Sequence, residues 1–191
     1  MPTFDLQPTL KGNLLELRPL RREDFDALFA AGSDPLIWEV HPEKDRYTEP
    51  IFRRYFDGAI ESGGAFAIIE RKTGKIIGSS RYHHYKPDES EIEIGFTFLE
   101  RKFWGGEYNR ELKRLMVEHA LAFVKRVVFA AGENNLRSRR ALEKIGAKYF
   151  KMETRPARDS KPVPHAVYAI TGKLTAELAE SAAVASKSSR P

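Results

Sequence analysis

Glu93-Ile-Gly-Phe-Thr-Phe-Leu-Glu-Arg-Lys-Phe-Trp-Gly-Gly-Glu-Tyr-Asn109 is the stretch in which the periodicity of this chain changes. From Glu91 to Leu99, Ile92, Ile94, Phe96 and Phe98 alternate with Glu91, Glu93, Gly95 and Thr97, the two-residue period of a strand. Beyond Gly105-Gly106, Tyr108, Leu112, Leu115, Met116, His119, Ala120 and Phe123 step by three or four, which predicts a helix from about 108 to 124 with one stripe on a sheet. A glycine pair between strand and helix reads in two ways. It is a tight turn, or it aims the unpaired amides of a helix N-terminus at an anion such as phosphate.

Upstream, Leu14 to Leu20 reads as a first strand, and Glu23 to Ala31 as a short helix carrying Phe25, Leu28 and Phe29. Glu49-Pro50 opens a second helix with Ile51, Tyr55, Phe56 and Ile60 on one side, so two helices follow one strand and suggest a lid. The runs Ala65–Glu70 and Lys75–Tyr85, joined by Arg71 to Gly74, complete an antiparallel meander with the strand at Glu91. Downstream, Val127–Ala131 predicts a buried strand and Asn135–Ile145 a helix closed by Gly146. Ala147–Glu153 and His165–Thr171 are two last strands flanking a polar loop, Thr154–Pro164. The expected organisation is an extension over 1–13, a single domain over 14–172, and a tail over 173–191 that is partly helical and then disordered.

Composition limits the chemistry. The chain has 191 residues, 41% of them hydrophobic, which suffices for one well-buried domain. It has no cysteine, which excludes disulfides, thiolate zinc sites and a cysteine nucleophile. Among five histidines only the neighbours His83 and His84 are close in sequence, and no metal is expected. No run is long enough for a membrane helix and the first residues lack the pattern of a signal peptide, so the expected location is cytoplasmic. The net charge of +5 comes from 32 basic and 27 acidic residues spread along the chain. That permits a nucleic-acid partner, but the aromatic residues sit at core periodicities, so a basic nucleic-acid-binding module ranks low.

The order and spacing of four segments resemble the GNAT superfamily of N-acetyltransferases, most closely its ribosomal-protein N-terminal acetyltransferase-like branch. Glu93-Ile-Gly-Phe96 is similar to a Glu-Ile-Gly-Tyr strand, and Phe103-Trp-Gly-Gly-Glu-Tyr-Asn109 to a Tyr-Trp-Gly-x-Gly-Tyr-Ala pyrophosphate loop. Asn135-Leu-Arg-Ser138 resembles an Asn-x-x-Ser element, and Glu143-Lys-Ile-Gly146 a Glu-Lys-x-Gly-Phe element. The resemblance covers about Leu14 to Gly172 and implies a mixed α/β fold. It has a twisted, mostly antiparallel sheet of six to seven strands, a splayed parallel pair, and about four flanking helices.

The same resemblance implies transfer of an acetyl group from acetyl-coenzyme A to a primary amine, on a protein N-terminus or a small molecule, by direct attack in a ternary complex. It implies a monomer or homodimer. It places pantetheine against the backbone near Phe96 and Phe98, pyrophosphate on the amides of Trp104, Gly105, Gly106, Glu107, Tyr108 and Asn109, and Asn135 against the pantetheine amides. Three positions depart from the family. Glu107 stands where the second glycine is usual, Asn109 replaces a small residue, and Leu142 stands where many members carry a tyrosine that protonates the leaving thiolate. A catalytically silent acyl-coenzyme A-binding domain is the alternative these departures raise.

Glu93 is the candidate base, or else an outward polar residue between buried isoleucines. Ser138 is the candidate donor to the thiolate, or an ordinary first-turn serine, and Asn135 is a helix cap or a pantetheine contact. Arg137, Arg139, Arg140 and Lys144 approach a 3′-phosphate or form a solvated helix face. Tyr82, His83, His84 and Tyr85, with Trp38, Glu39 and His41, line an acceptor pocket or belong to the core.

Overall fold

The computed structural model describes residues 4–157 and 160–172, so the tail expected over 173–191 lies outside the described residues. Its strands are β1 (Leu10–Lys11), β2 (Leu15–Pro19), β3 (Ala65–Glu70), β4 (Ile76–Lys86), β5 (Glu91–Leu99), β6 (Arg126–Gly132), β7 (Lys148–Ala157) and β8 (Ser160–Thr171). They form one sheet in the order β1-β2-β3-β4-β5-β6-β8-β7. The helices among the described residues are α1 (Phe25–Gly32), α2 (Pro35–Trp38), α3 (Glu49–Glu61), α4 (Glu107–Leu121) and α5 (Leu136–Lys144). Every neighbouring pair of strands is antiparallel except β5 and β6. The architecture is the mixed α/β fold expected, with one strand more because β1 is only two residues long.

Alternation along the strands separates two cores. Phe66 and Ile68 join Leu15, Leu17, Ile92, Ile94, Leu112, Met116, Val127 and Phe129 beneath α4. Ala65 and Ala67, pointing the other way, join Leu28, Trp38, Phe52, Tyr55 and Phe56 beneath α1 to α3. Burial of these apolar side chains is the main driving force of the fold. Residues 4–13, expected as a separate extension, pack into the first core. Phe4 is 6% exposed, stacks on Phe123 and packs edge-on against Tyr82 and Tyr85, with His119 tilted beside it. Glu111 ties this segment to α4 by accepting the amide N–H groups of Asn13, Leu14 and Leu15, each at 2.8 Å.

Two sequence expectations are corrected. The polar loop Thr154–Pro164 is instead the far end of the β7–β8 hairpin, with Thr154 opposite Pro164 and Arg155 opposite Val163. β8 extends beyond its last pair with β6, Gly132↔His165, so Pro162 and Pro164 lie where only β7 flanks the strand, and a missing amide donor is tolerated there. The regular alternation of β5 is also broken. Ser79 pairs with Phe98 but Arg81 pairs with Gly95, so Phe96 is an extra residue, a bulge with φ of 52°. One inserted residue reverses all side chains beyond it. Ile92 and Ile94 therefore face α4, whereas Phe98 packs with Trp38, Phe52 and Tyr55 on the opposite face.

Candidate active site

β5 and β6 pair over only three positions, Glu91↔Arg126, Ile92↔Val127 and Glu93↔Val128. Beyond Glu93 and Val128 they diverge, and among the described residues the edges they turn toward each other have no strand partner. A cleft of about 380 Å³ fills the divergence, lined by Gly95, Phe96 and Thr97 from β5 and by Phe129 to Gly132 from β6. α4 contributes Asn109 and Lys113 to it, and α5 contributes Ser138 and Leu142.

The bulge is fastened from several sides. Tyr55 on α3 donates its hydroxyl to the carbonyl of Phe96 at 2.9 Å, and the Arg81 guanidinium lies 4.2 Å from the Phe96 ring centre. Thr97 Oγ1 lies 2.7 Å from Ser80 Oγ and accepts from Lys113 Nζ at 2.7 Å. Lys113 is 6% exposed with its pKa lowered to about 7 by burial, and among the described residues no carboxylate pairs with it.

The loop between β5 and α4 is bare backbone. Gly105 has φ of 71°, and a Cβ built there meets nothing within 4 Å; one on Gly106 meets only the Trp104 carbonyl at 4.0 Å. Gly106 is the N-cap of α4 with no side-chain cap, so the first helical amides and the positive end of the helix dipole are presented to whatever approaches. Glu107 is exposed. Tyr108 turns away and donates to Glu70 Oε1 at 3.0 Å, so any contact it makes to an anion in the loop runs through its backbone. Trp104 donates to the Leu99 carbonyl at 2.8 Å, and its ring carries the Arg137 guanidinium 4.0 Å away.

A second cleft opens on the sheet face opposite α4 and shares His41, Gly95, Phe96, Ala130, Arg155, Pro156 and His165 with the first. Glu93, 4% exposed, and His83 project into it. Arg155 forks onto Glu93, Nη1 to Oε1 at 2.6 Å and Nη2 to Oε2 at 2.9 Å, and His84 Nδ1 lies 3.2 Å from Oε2. Burial pushes the Glu93 carboxyl upward, but the Arg155 bonds and nearby charges outweigh it and hold the group below its ordinary value. Burial lowers His83 to about 4, and its Nε2, 3.5 Å from Glu93 Oε1, has no hydrogen-bond partner among the described residues. The ring fits because residue 95 is glycine, since a Cβ there would stand 2.5 Å from His83 Nε2. His41 is likewise lowered to about 4, by burial and then by Arg46, and its Nδ1 accepts the Glu43 amide at 3.0 Å. That bond leaves His41 neutral with its proton on Nε2. The ligand atoms of His83, His84 and Glu93 lie within 4.8 Å of one another, and the cation that Glu93 holds there is the Arg155 guanidinium.

The residues expected to act from the sequence divide accordingly. Phe96, Asn109, Asn135 and Ser138 line the first cleft, and Glu93 lines the second. Gly105, Gly106 and Glu107 sit exposed at the α4 N-terminus. The Phe98 side chain is core, so only its backbone can face a ligand. Asn135 Oδ1 caps α5 by accepting the Ser138 amide at 3.1 Å; its Nδ2 has no protein partner among the described residues, so cap and ligand contact are compatible. Tyr82 is core, Tyr85 packs on Phe4, and Arg139 bonds Tyr168 and the Glu133 carbonyl. Lys113 and Arg155 were not legible as site residues. Lys113 continues the Asn109, Met116, Ala120 stripe of α4, the signal that could have identified it, whereas Arg155 fell in the stretch read as a loop.

A family model described as an acetyltransferase (GNAT) domain matches residues 15–148. The fold is similar to a GCN5-related N-acetyltransferase from Brucella melitensis, with 22% identity over 90% of this chain and 82% of that one and a TM-score of 0.80. It is similar to an acetyltransferase (GNAT family) from Bacillus anthracis, with 21% identity, 87% and 99% coverage and a TM-score of 0.72. Mycobacterium smegmatis RimJ, solved in complex with CoA-disulfide, shares 19% identity over 83% of this chain and 82% of that one, with a TM-score of 0.63. The divergent strand pair, the bare glycine loop before α4 and the match over residues 15–148 agree, and the chain belongs to the GNAT acetyltransferase domain family.

Proposed function

We propose that this protein transfers an acetyl group from acetyl-coenzyme A to a primary amine by direct attack within a ternary complex. The observation that carries the reading is the divergence of β5 and β6 after three pairs, with strand edges unpartnered among the described residues facing each other across the gap and the open α4 N-terminus beside it. Backbone groups without partners suit the amides of a pantetheine arm, and the amides of Gly106 to Asn109 suit a pyrophosphate. RimJ of M. smegmatis, of similar fold, was solved with CoA-disulfide, which supports the same ligand class here.

Acetyl-coenzyme A supplies an activated acetyl carbon; the chain supplies binding, orientation and proton handling. Phe96 and Phe98 contribute backbone to the gap, Trp104 and Gly105 shape the loop, and Asn135 offers its Nδ2 donors. The second cleft is assigned to the amine because it joins the first at Gly95 and Phe96. There the ionised Glu93 attracts an ammonium and takes its proton through a water, Arg155 keeps the carboxylate charged, and His41 Nε2–H is a neutral donor at the junction of the clefts. Ser138 contributes a hydrogen bond to the leaving sulfur. A protein N-terminus and a small amine are both open at this cleft.

The test is calorimetric titration and thermal unfolding with acetyl-coenzyme A, followed by a screen of peptides and small amines for thiol release. Saturable binding with a raised unfolding temperature and turnover on an amine is the expected result. Binding without turnover on any amine identifies a silent acyl-coenzyme A-binding domain. That reading is favoured by the engagement of both Glu93 oxygens with Arg155.

A further inference from the structure

Lys113 is a buried amine with no carboxylate paired to it among the described residues. It leaves α4 one turn after Asn109, and both residues line the gap between β5 and β6. Its Nζ bonds Thr97 of β5 at 2.7 Å and lies 5.3 Å from the ring centre of Phe129 on β6, so the ammonium straddles the diverging strands. An ammonium has three N–H donors and Thr97 takes one. His41, Glu43, Arg46, Arg155 and His165 also line this cleft, yet burial alone depresses the basicity of Lys113. A buried charge without a partner is costly, and an anion brought by a ligand relieves that cost.

The reaction inferred above forms one anion in this gap, the sulfur that leaves the acetyl carbon. Leu142 has no proton to give, and the hydroxyl of Ser138 is a far weaker acid than an ammonium. We propose that Lys113 is the proton donor and counter-cation for the departing sulfur of coenzyme A, an assignment that rests on the acetyl-coenzyme A reading. The amine nitrogen bonds to the acetyl carbon, the carbon–sulfur bond breaks with its electron pair going to sulfur, and Lys113 gives a proton to that sulfur. The proton lost by the amine passes through water to Glu93 and on to solvent, and solvent restores the one on Lys113, so the products are the amide and the free thiol. Thr97 is the positioning residue that aims the ammonium.

Coenzyme A with its free thiol is the probe. Its affinity is measured by calorimetry and its ionisation by the ultraviolet absorbance of the thiolate, across pH, on the wild type and on Lys113→Met, Lys113→Gln and Lys113→Arg. On the wild type the bound thiol ionises at least about one pH unit below free coenzyme A, because the thiolate and the Lys113 ammonium stabilise each other's charged forms. Lys113→Arg keeps much of this shift, whereas Lys113→Met and Lys113→Gln lose it. S-methyl-coenzyme A, which cannot ionise, binds the wild type and Lys113→Met within about twofold of each other. Thermal unfolding of each variant alone verifies that it is folded. Equal thiol ionisation on the wild type and both neutral variants overturns the role of Lys113 while leaving the ligand reading intact. No binding of coenzyme A by the folded wild type overturns both.

Discussion

Arg155 and Glu93, 62 residues apart, meet in a two-pronged ion pair at 2.6 and 2.9 Å that joins the β7–β8 hairpin to the last position at which β5 pairs with β6. Glu93 is almost wholly buried, so it depends on this guanidinium to stay charged. Arg155→Met strands a buried carboxylate, and the expected loss of unfolding free energy in urea is about 3 kcal/mol. Without Arg155 the burial of Glu93 is no longer outweighed and its pKa rises. The acid limb of the pH–rate profile therefore moves to higher pH, read by turnover on the best amine from the screen.

Acid should unfold the protein through His41 and His83. Each is near 4 when folded and about 6.5 when unfolded, so between those values the unfolded chain binds more protons and stability falls as pH falls. From pH 7 to pH 5 the two should cost about 2 kcal/mol each. The double variant His41→Asn, His83→Asn should show a flatter dependence of the urea midpoint over the same range.

Lys113 works over a different window. Folding lowers its pKa from 10.5 to about 7, so stability rises with pH between those values and no longer changes on this account below pH 7. Lys113→Met removes that slope, about 1.4 kcal/mol per pH unit at its steepest, and is expected to be more stable than the wild type near pH 7 by about 2 kcal/mol. Differential scanning calorimetry of both proteins from pH 6 upward measures the difference directly.

Gly95→Ala places a methyl group where His83 Nε2 now lies. The imidazole must move from between Phe96 and Glu93, at an expected cost of about 1–3 kcal/mol, the usual range for overpacking. In an NMR titration of the variant, the displaced His83 should titrate nearer to 6.5 than to 4, because burial is what now lowers it.

Glu111→Gln leaves one amide oxygen to accept three N–H groups that two carboxylate oxygens now share. The expected loss is about 2 kcal/mol, as for charge-assisted hydrogen bonds, with amide hydrogen exchange at Asn13 to Leu15 rising before that of the rest of β2.

Much of this was legible beforehand because period and punctuation were strong. β5 begins and ends at the expected residues, α4 starts one residue before its expected first position, and Gly146 closes α5 with φ of 81°. The bulge at Phe96 was hidden because all the residues around it suit a strand; only the face to which Phe98 turns distinguishes the two registers, and that is decided by Trp38, Phe52 and Tyr55 far away in sequence. The hairpin end was hidden by its prolines, whose cost depends on which neighbour flanks the strand. Arg155 and Lys113 acquire meaning only from the elements they meet. A lysine in an amphipathic helix is ordinary until it proves to be buried with no carboxylate paired to it among the described residues.

The short seam between β5 and β6 also has a mechanical meaning. Five strands on one side and three on the other are separately well knit, β6 to β8 over seven positions, but they share only three parallel pairs. The sheet is two plates with a narrow weld at one end, and a long, amide-bearing molecule lying in the gap would act as a strut between them. Such a strut raises the cooperativity of unfolding as well as its midpoint. Slowed hydrogen exchange would then spread into both plates at once, including strands that never touch the ligand.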